Sequence, residues 1–272
     1  MAITGNFLDI MGGRLTLTTA TPVTTADVVD AGTLYYTPYP NGGGNAVNLY
    51  NGSNWVLHAL TERSLDISGY TASRLYDIWL YDNAGTVTMD STIWTNGTTR
   101  ATALTTQDGR YVKTGDTTRR YLGTIYMSAV EGDCDDSVAW RGVWNYYNRV
   151  ERACYATDTT GHSIETVYRP FNNDTSIRFN FCLGVNEEEV YENVWGSLSA
   201  GAGIETALGI NGDATNGADY WIAKDTTAEV HYQSSAGTRS YVEGAHYCQA
   251  TQRGTGGAGN FYLVQIRATF NG

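Results

Sequence analysis

An all-β architecture is what this sequence predicts: a small N-terminal antiparallel β module followed by a jelly-roll-like β-sandwich. Three observations carry that expectation. The apolar load sits in Tyr, Trp and Val, with 20 Tyr and 7 Trp in 272 residues, types that suit a half-buried pleated surface. Thirty-one Gly, interleaved with Thr and Asn, punctuate the chain at the short intervals that tight turns require. Heptads and short fibre-shaft repeats are absent, whereas apolar–polar alternation at period two recurs.

Each element follows in order. Residues 1–13 carry Ile3, Phe7, Leu8, Ile10 and Met11 outside any strand pattern and end at Gly12-Gly13. They read as a docking arm, an apolar tail before a hinge, to be ordered by a partner protein. Residues 14–128 form the first β module. Arg14-Leu15-Thr16-Leu17-Thr18 alternates, and Thr33-Leu34-Tyr35-Tyr36-Thr37 is closed by Pro38 and Pro40. Ala46 to Tyr50 and Trp55 to Leu60 flank Asn51-Gly52-Ser53-Asn54, a hairpin signal because Asn-Gly tolerates positive φ. A second hairpin joins Arg74–Tyr81 to Thr86–Met89 across Asp82-Asn83-Ala84-Gly85, and Arg120 to Met127 completes the module. The acidic loop Glu131-Gly132-Asp133-Cys134-Asp135-Asp136 marks the expected boundary. Residues 129–272 then supply strands at 143–155, 176–185, 188–197, 228–233, 246–252 and 260–270, with long Gly- and Thr-rich connections that suit a sandwich. In the last strand Leu263 and Ile266 fall on opposite faces unless a bulge intervenes.

Trp144-Asn145-Tyr146-Tyr147-Asn148-Arg149-Val150 is the most informative stretch. Three aromatics, two Asn and a β-branched residue fit a half-buried strand better than a helix. It follows Arg119-Arg120-Tyr121-Leu122-Gly123-Thr124-Ile125. Upstream lie Leu49-Tyr50-Asn51-Gly52-Ser53-Asn54-Trp55-Val56-Leu57, Trp94-Thr95-Asn96, Thr98-Thr99-Arg100-Ala101, and Gln107 to Asp116. In this order the segments resemble the middle of structural proteins of tailed bacteriophages: tail-fibre, tail-knob and head-decoration components. The resemblance covers about residues 13 to 152 and implies a virion protein, without saying which part of the virion.

Composition limits the partners. The formal net charge is -11, and Lys113 and Lys224 are the only lysines. Nucleic-acid binding rests mainly on phosphate neutralisation, so no nucleic-acid partner is expected. No stretch is apolar over a bilayer-spanning length, and the N-terminus lacks the basic and apolar regions of a signal peptide, so no membrane insertion is expected either. Cys134, Cys154, Cys182 and Cys248 contain no CxxC pair and are too sparse for a disulfide scaffold; buried hydrophobe is the expected role of Cys182.

A glycosidase needs two carboxylates across a sugar, one of raised pKa. Asp133, Asp135 and Asp136, or Glu187, Glu188, Glu189 and Glu192, are candidates, but adjacent loop acids suit neither role. Asp133, Asp135 and Asp136 also suit a hard cation, yet the positions of a complete EF-hand loop are missing. A solvated acidic linker is expected, with no metal or cofactor. His58, His162, His231 and His246 form no HxH or HExxH arrangement, and no GxSxG or phosphate-binding loop occurs. The better prospect is Asn211, Asp213, Tyr220 and Trp221, which place stacking aromatics beside hydrogen-bonding groups, as sugar sites do; the alternative is that Tyr220 and Trp221 open a core strand.

The sequence therefore points to a non-enzymatic phage virion protein, made in a bacterial cytoplasm and located in the virion. A tail knob or fibre component that attaches to host-surface glycan comes first, and a capsid decoration or head-fibre protein second. The competitor from another class is a polysaccharide depolymerase. Edge strands and an aromatic-rich surface suggest a closed homo-oligomer, a trimer. Other tail or capsid proteins are the expected partners of the N-terminal arm.

Overall fold

A computed structural model describes residues 10–39, 45–163, 169–186, 189–198, 203–210, 231–256 and 260–272. The chain is all-β and sandwich-like. Among the described residues the only helical element is a 3-10 turn at Phe171–Asn173, and no helix is long and apolar enough to cross a membrane.

The N-terminal strands are β1 (Gly13–Thr16), β2 (Val28–Ala31), β3 (Thr33–Pro38), β4 (Ala46–Tyr50), β5 (Trp55–Ala59), β6 (Arg63–Asp66), β7 (Leu75–Asn83), β8 (Thr86–Ile93), β9 (Leu104–Gln107), β10 (Arg110–Lys113) and β11 (Asp116–Tyr126). Both predicted hairpins form. β4 and β5 pair from Ala46↔Ala59 to Tyr50↔Trp55. Their turn is held by the Asn51 side-chain oxygen, which accepts from the Ser53 and Asn54 amides at 3.0 and 2.8 Å. β7 and β8 close at Asn83↔Thr86. The connection is only Ala84-Gly85, with φ of 50° and 92°, the paired left-handed conformation that matches strand twist.

Trp144–Val150 is not one strand. β12 (Cys134–Asp136) and β13 (Trp140–Arg141) precede it, its first two residues belong to β14 (Val143–Asn145), and the strand character stops at Asn145. Asn148 adopts φ 54° and donates its side-chain amide to the carbonyls of Met11 and Gly13 at 2.6 and 2.9 Å. The chain then enters β15 (Glu151–Asp158), β16 (His162–Ser163), β17 (Arg169–Pro170), β18 (Arg178–Leu183), β19 (Glu189–Leu198), β20 (Gly203–Ile210), β21 (His231–Ser240), β22 (Gly244–Gly256) and β23 (Asn260–Asn271).

Two cores lie on opposite faces of one sheet, ordered β8-β7-β11-β10-β9 with β14 beside β11. Alternation along β7 explains this. Tyr76, Ile78 and Leu80 enter a core with Leu15, Leu34, Tyr36, Val47 and Leu122, roofed by the β1-β3-β6 sheet and the β4–β5 hairpin. Leu75 and Trp79 enter the other, with Tyr121, Trp144, Phe179, Phe181, Val194, Ile266 and Phe270. That second core is a sandwich between the sheet β15-β23-β19-β21 and the sheet β17-β22-β18-β13-β12-β2.

The boundary expected after residue 128 is therefore crossed twice. β2 pairs with β12 inside the acidic loop, placing an N-terminal strand in a C-terminal sheet, and Trp79 and Tyr121 belong to the sandwich core. Arg100 adds a polar clamp. It donates Nε to Asp77 at 2.8 Å and also reaches Glu243 and the Gly184 carbonyl. Burial opposes its charge, but Tyr121, Asp77 and Glu243 outweigh that and hold its pKa above the ordinary value.

The inner end of the expected docking arm is part of the fold. Met11 is 1% exposed in the N-terminal core and bridges Val47; the Ile10 carbonyl accepts from the Asn48 amide at 2.9 Å. Gly12-Gly13 is no hinge, since the Gly12 amide donates to Ala46 at 2.8 Å and a Cβ on Gly13 would lie 2.6 Å from the Tyr36 ring. Ile3, Phe7 and Leu8 lie outside the described residues.

Candidate functional site

The residues chosen for glycan contact, Asn211, Asp213, Tyr220 and Trp221, lie outside the described residues, as do Glu187 and Glu188. Three of the other acidic candidates, Asp135, Asp136 and Glu192, serve the fold. Asp136 is buried and pairs with Arg152 at 2.5 Å and Arg141 at 3.3 Å. Asp135 accepts the Asp30 amide at 2.9 Å, and burial raises its pKa. Glu192 is fully buried, accepting from Tyr241 and, at 3.0 Å, from the Cys248 thiol. Burial, together with Cys248 and Glu192, raises the Tyr241 phenol. Among the described residues no cluster of three or more His, Cys, Asp or Glu side chains is placed to hold a metal ion.

Two surface features have the shape of a site. One is a cleft of about 360 Å³ beside the Arg100 clamp, lined by Arg100, Ala103, Leu104, Tyr111, Val185, Asn186 and Glu243. Its polar groups are largely engaged with each other: Arg100 pairs with Glu243, and Asn186 accepts the Glu243 amide at 2.5 Å.

The other is the outer face of the β15-β23-β19-β21 sheet. Period two builds it. On β19, Val190, Glu192 and Val194 point inward and Glu189, Tyr191, Asn193 and Trp195 outward. On β23, Val264, Ile266, Ala268 and Phe270 point inward and Gln265, Arg267, Thr269 and Asn271 outward. Register sets the rows: Tyr191 opposite Thr269, Asn193 opposite Arg267, Trp195 opposite Gln265, with Tyr155 beside Arg267 on β15. Tyr155 and Tyr191 are 43% and 48% exposed.

Two adjoining clefts run along this face. One of about 340 Å³ is lined by Tyr191, Asn193, Trp195, Gln265, Arg267 and Thr269. The next, about 250 Å³, shares Tyr191 and Thr269 and adds Glu151, Glu189, Thr238, Phe270 and Asn271. Tyr191 and Trp195 stand four residues apart on one strand, about 13 Å, a spacing that spans an oligosaccharide rather than a single ring. Aromatic faces flanked by amide and guanidinium donors are what stacking and hydroxyl recognition require. The signal in the sequence was the alternation through Glu189–Trp195, obscured because the inward position 192 is a glutamate.

Comparison with known proteins gives little further constraint. No family model matches the chain, and no curated protein matches it. Among solved structures, BuGH86 in complex with neoagarooctaose is similar at 10% identity and TM-score 0.27, over 89% of this chain and 33% of that one. The insecticidal delta-endotoxin Cry8Ea1 from Bacillus thuringiensis is similar at 5% identity and TM-score 0.23, over 87% and 49%. Latent PorU from Porphyromonas gingivalis is similar at 12% and 0.24, over 96% and 24%. The chain spans half or less of each of these proteins, and likeness at this level assigns neither family nor activity.

Proposed function

We propose that this chain is a non-enzymatic structural protein of a tailed-phage virion, a tail knob or fibre component that contacts host-surface glycan through the outer face of β19 and β23. The observation that carries the adhesive part is that face itself: Tyr155, Tyr191 and Trp195 beside Asn193, Gln265 and Arg267 on a rigid sheet. The virion assignment rests on the resemblance of residues 13 to 152, whose Trp144–Val150 segment ties the N-terminal strand to the central sheet. Single shallow sugar sites reach about millimolar to micromolar affinity, so a closed homo-oligomer, a trimer in this reading, supplies the avidity. Residues 1–9 remain the candidate contact to other tail or capsid proteins.

The competing enzymatic reading would place Glu151 and Glu189 across a sugar in the smaller cleft. Both are exposed and share one solvated face, whereas the reaction needs an acid and a base or nucleophile in differing environments.

Phage particles carrying Trp195→Ala should assemble in normal numbers and adsorb to host cells about tenfold more slowly, the equivalent of about 1.4 kcal/mol. Unchanged adsorption would remove this face from the proposal. Release of reducing ends from host polysaccharide, abolished by Glu151→Gln, would favour the depolymerase. Normal adsorption by particles lacking the whole chain would leave the capsid-decoration reading.

A further inference from the structure

Charge is distributed unevenly along the two clefts. Among the described residues the larger is lined by one formal charge, the Arg267 guanidinium, and by no carboxylate. The smaller is lined, among the described residues, by Glu151 and Glu189 and by no cation. Arg267 is exposed and makes no ion pair with any carboxylate of the described residues, in a chain of net charge -11. Other arginines are engaged: Arg100, Arg119, Arg141 and Arg152 hold carboxylates, and Arg14 holds the Pro22 and Gly272 carbonyls.

Arg267 is also well placed. Asn193 lies opposite it on β19 and Tyr155 beside it on β15. Trp195 and Gln265 form the next row, with the Gln265 amide donating to Thr157 at 3.3 Å, which orients that amide. A guanidinium presents donors in a planar fork that fits a carboxylate with two parallel hydrogen bonds. Its position between aromatic rows puts that fork where a stacked sugar ring would carry its exocyclic substituent.

We infer that the glycan recognised by this face is acidic, and that it lies with a sugar carboxylate on Arg267 and its neutral portion towards Glu151 and Glu189. The inference rests on the glycan reading of the face and names the sugar class and polarity. The two glutamates repel a carboxylate at their end, so the ligand has one favoured direction along the sheet. Overall negative charge slows the approach of such a glycan without removing the local attraction, because the Debye length is only about 8 Å at physiological ionic strength.

The test uses the full-length chain on a glycan array carrying neutral, uronic-acid, nonulosonic-acid and phosphorylated oligosaccharides, with carboxyl-reduced counterparts of the acidic ones. Acidic glycans should bind, and reduction of the carboxyl should weaken binding about tenfold or more, as expected for a lost charge-assisted pair. Arg267→Gln should bind acidic and reduced forms equally, and Trp195→Ala should lose both. Equal binding of acidic and reduced forms by the natural chain, or binding confined to neutral or phosphorylated glycans, overturns the inference and leaves the glycan face standing. Binding to no glycan overturns both. Insensitivity to Arg267→Gln with intact acid preference moves the carboxylate subsite elsewhere.

Discussion

The two asparagines of Trp144–Val150 show how single side chains close this fold. Asn145 donates to the Leu15 carbonyl at 3.2 Å and accepts the Leu15 amide at 2.7 Å, replacing a missing neighbour strand for β1. Asn148 donates its side-chain amide to the Met11 and Gly13 carbonyls. Around them Arg149 lies over the Trp144 ring, 4.7 Å from its centroid, and Tyr147 accepts from Arg120 Nε at 3.1 Å. Asn145→Ala leaves a buried N–H and C=O without these partners, at about 1–3 kcal/mol each. Urea denaturation should therefore show a loss of about 2 kcal/mol or more, larger than for an exposed Asn such as Asn51→Ala. A loss below about 0.5 kcal/mol would mean that β1 is held by β3 alone. The sequence indicated that this segment mattered but not how. Its composition suits a strand, but the strand ends at Asn145, and the left-handed Asn148 that follows is invisible to alternation.

At the scale of elements, local pairings were legible and distant ones were not. Hairpins β4–β5 and β7–β8 follow from turn residues and alternation, and β18, β19, β22 and β23 lie where aromatic and β-branched runs place them. The β2–β12 ladder joins residues more than a hundred positions apart, and an acidic stretch with a glycine looks like a linker until its partner is known. The Arg100 clamp is of the same non-local kind, joining β7 through Asp77 to the turn before β22 through Glu243. Arg100→Met should cost about 3–5 kcal/mol, because Asp77 at 1% side-chain exposure would be left as an uncompensated buried charge. Adding Asp77→Asn should recover part of that loss. A double variant no more stable than Arg100→Met, measured by the same denaturant midpoint and slope, would argue that the guanidinium acts through packing on Trp94, 4.3 Å away, rather than through charge.

At the scale of the whole molecule, one sheet serves two cores. Its β7 and β11 side chains alternate between them, so neither core can lose its floor without exposing the other. Residues from both sides of the acidic loop share the sandwich core and the β2–β12 ladder, and neither link is visible in local sequence pattern. Aromatics beside Asn and Asp stand out in the sequence at Asn211–Trp221, whereas the aromatics of β19 are hidden by the strand pattern they belong to.

The placement of the cysteines follows from the same architecture. All four are buried and free. Cys134 lies in the N-terminal core, and Cys154, Cys182 and Cys248 in the sandwich core. Burial raises every one of their thiol pKa values, that of Cys154 to about 12, so the reactive thiolate is scarce while the chain is folded. The molecule thus carries its own clock for opening, with a separate hand in each core. Under an excess of a thiol-reactive dye in native buffer, all four should label with one rate constant, equal to that of global unfolding. Early labelling of Cys134 alone would show that the N-terminal roof lifts while the sandwich stays shut.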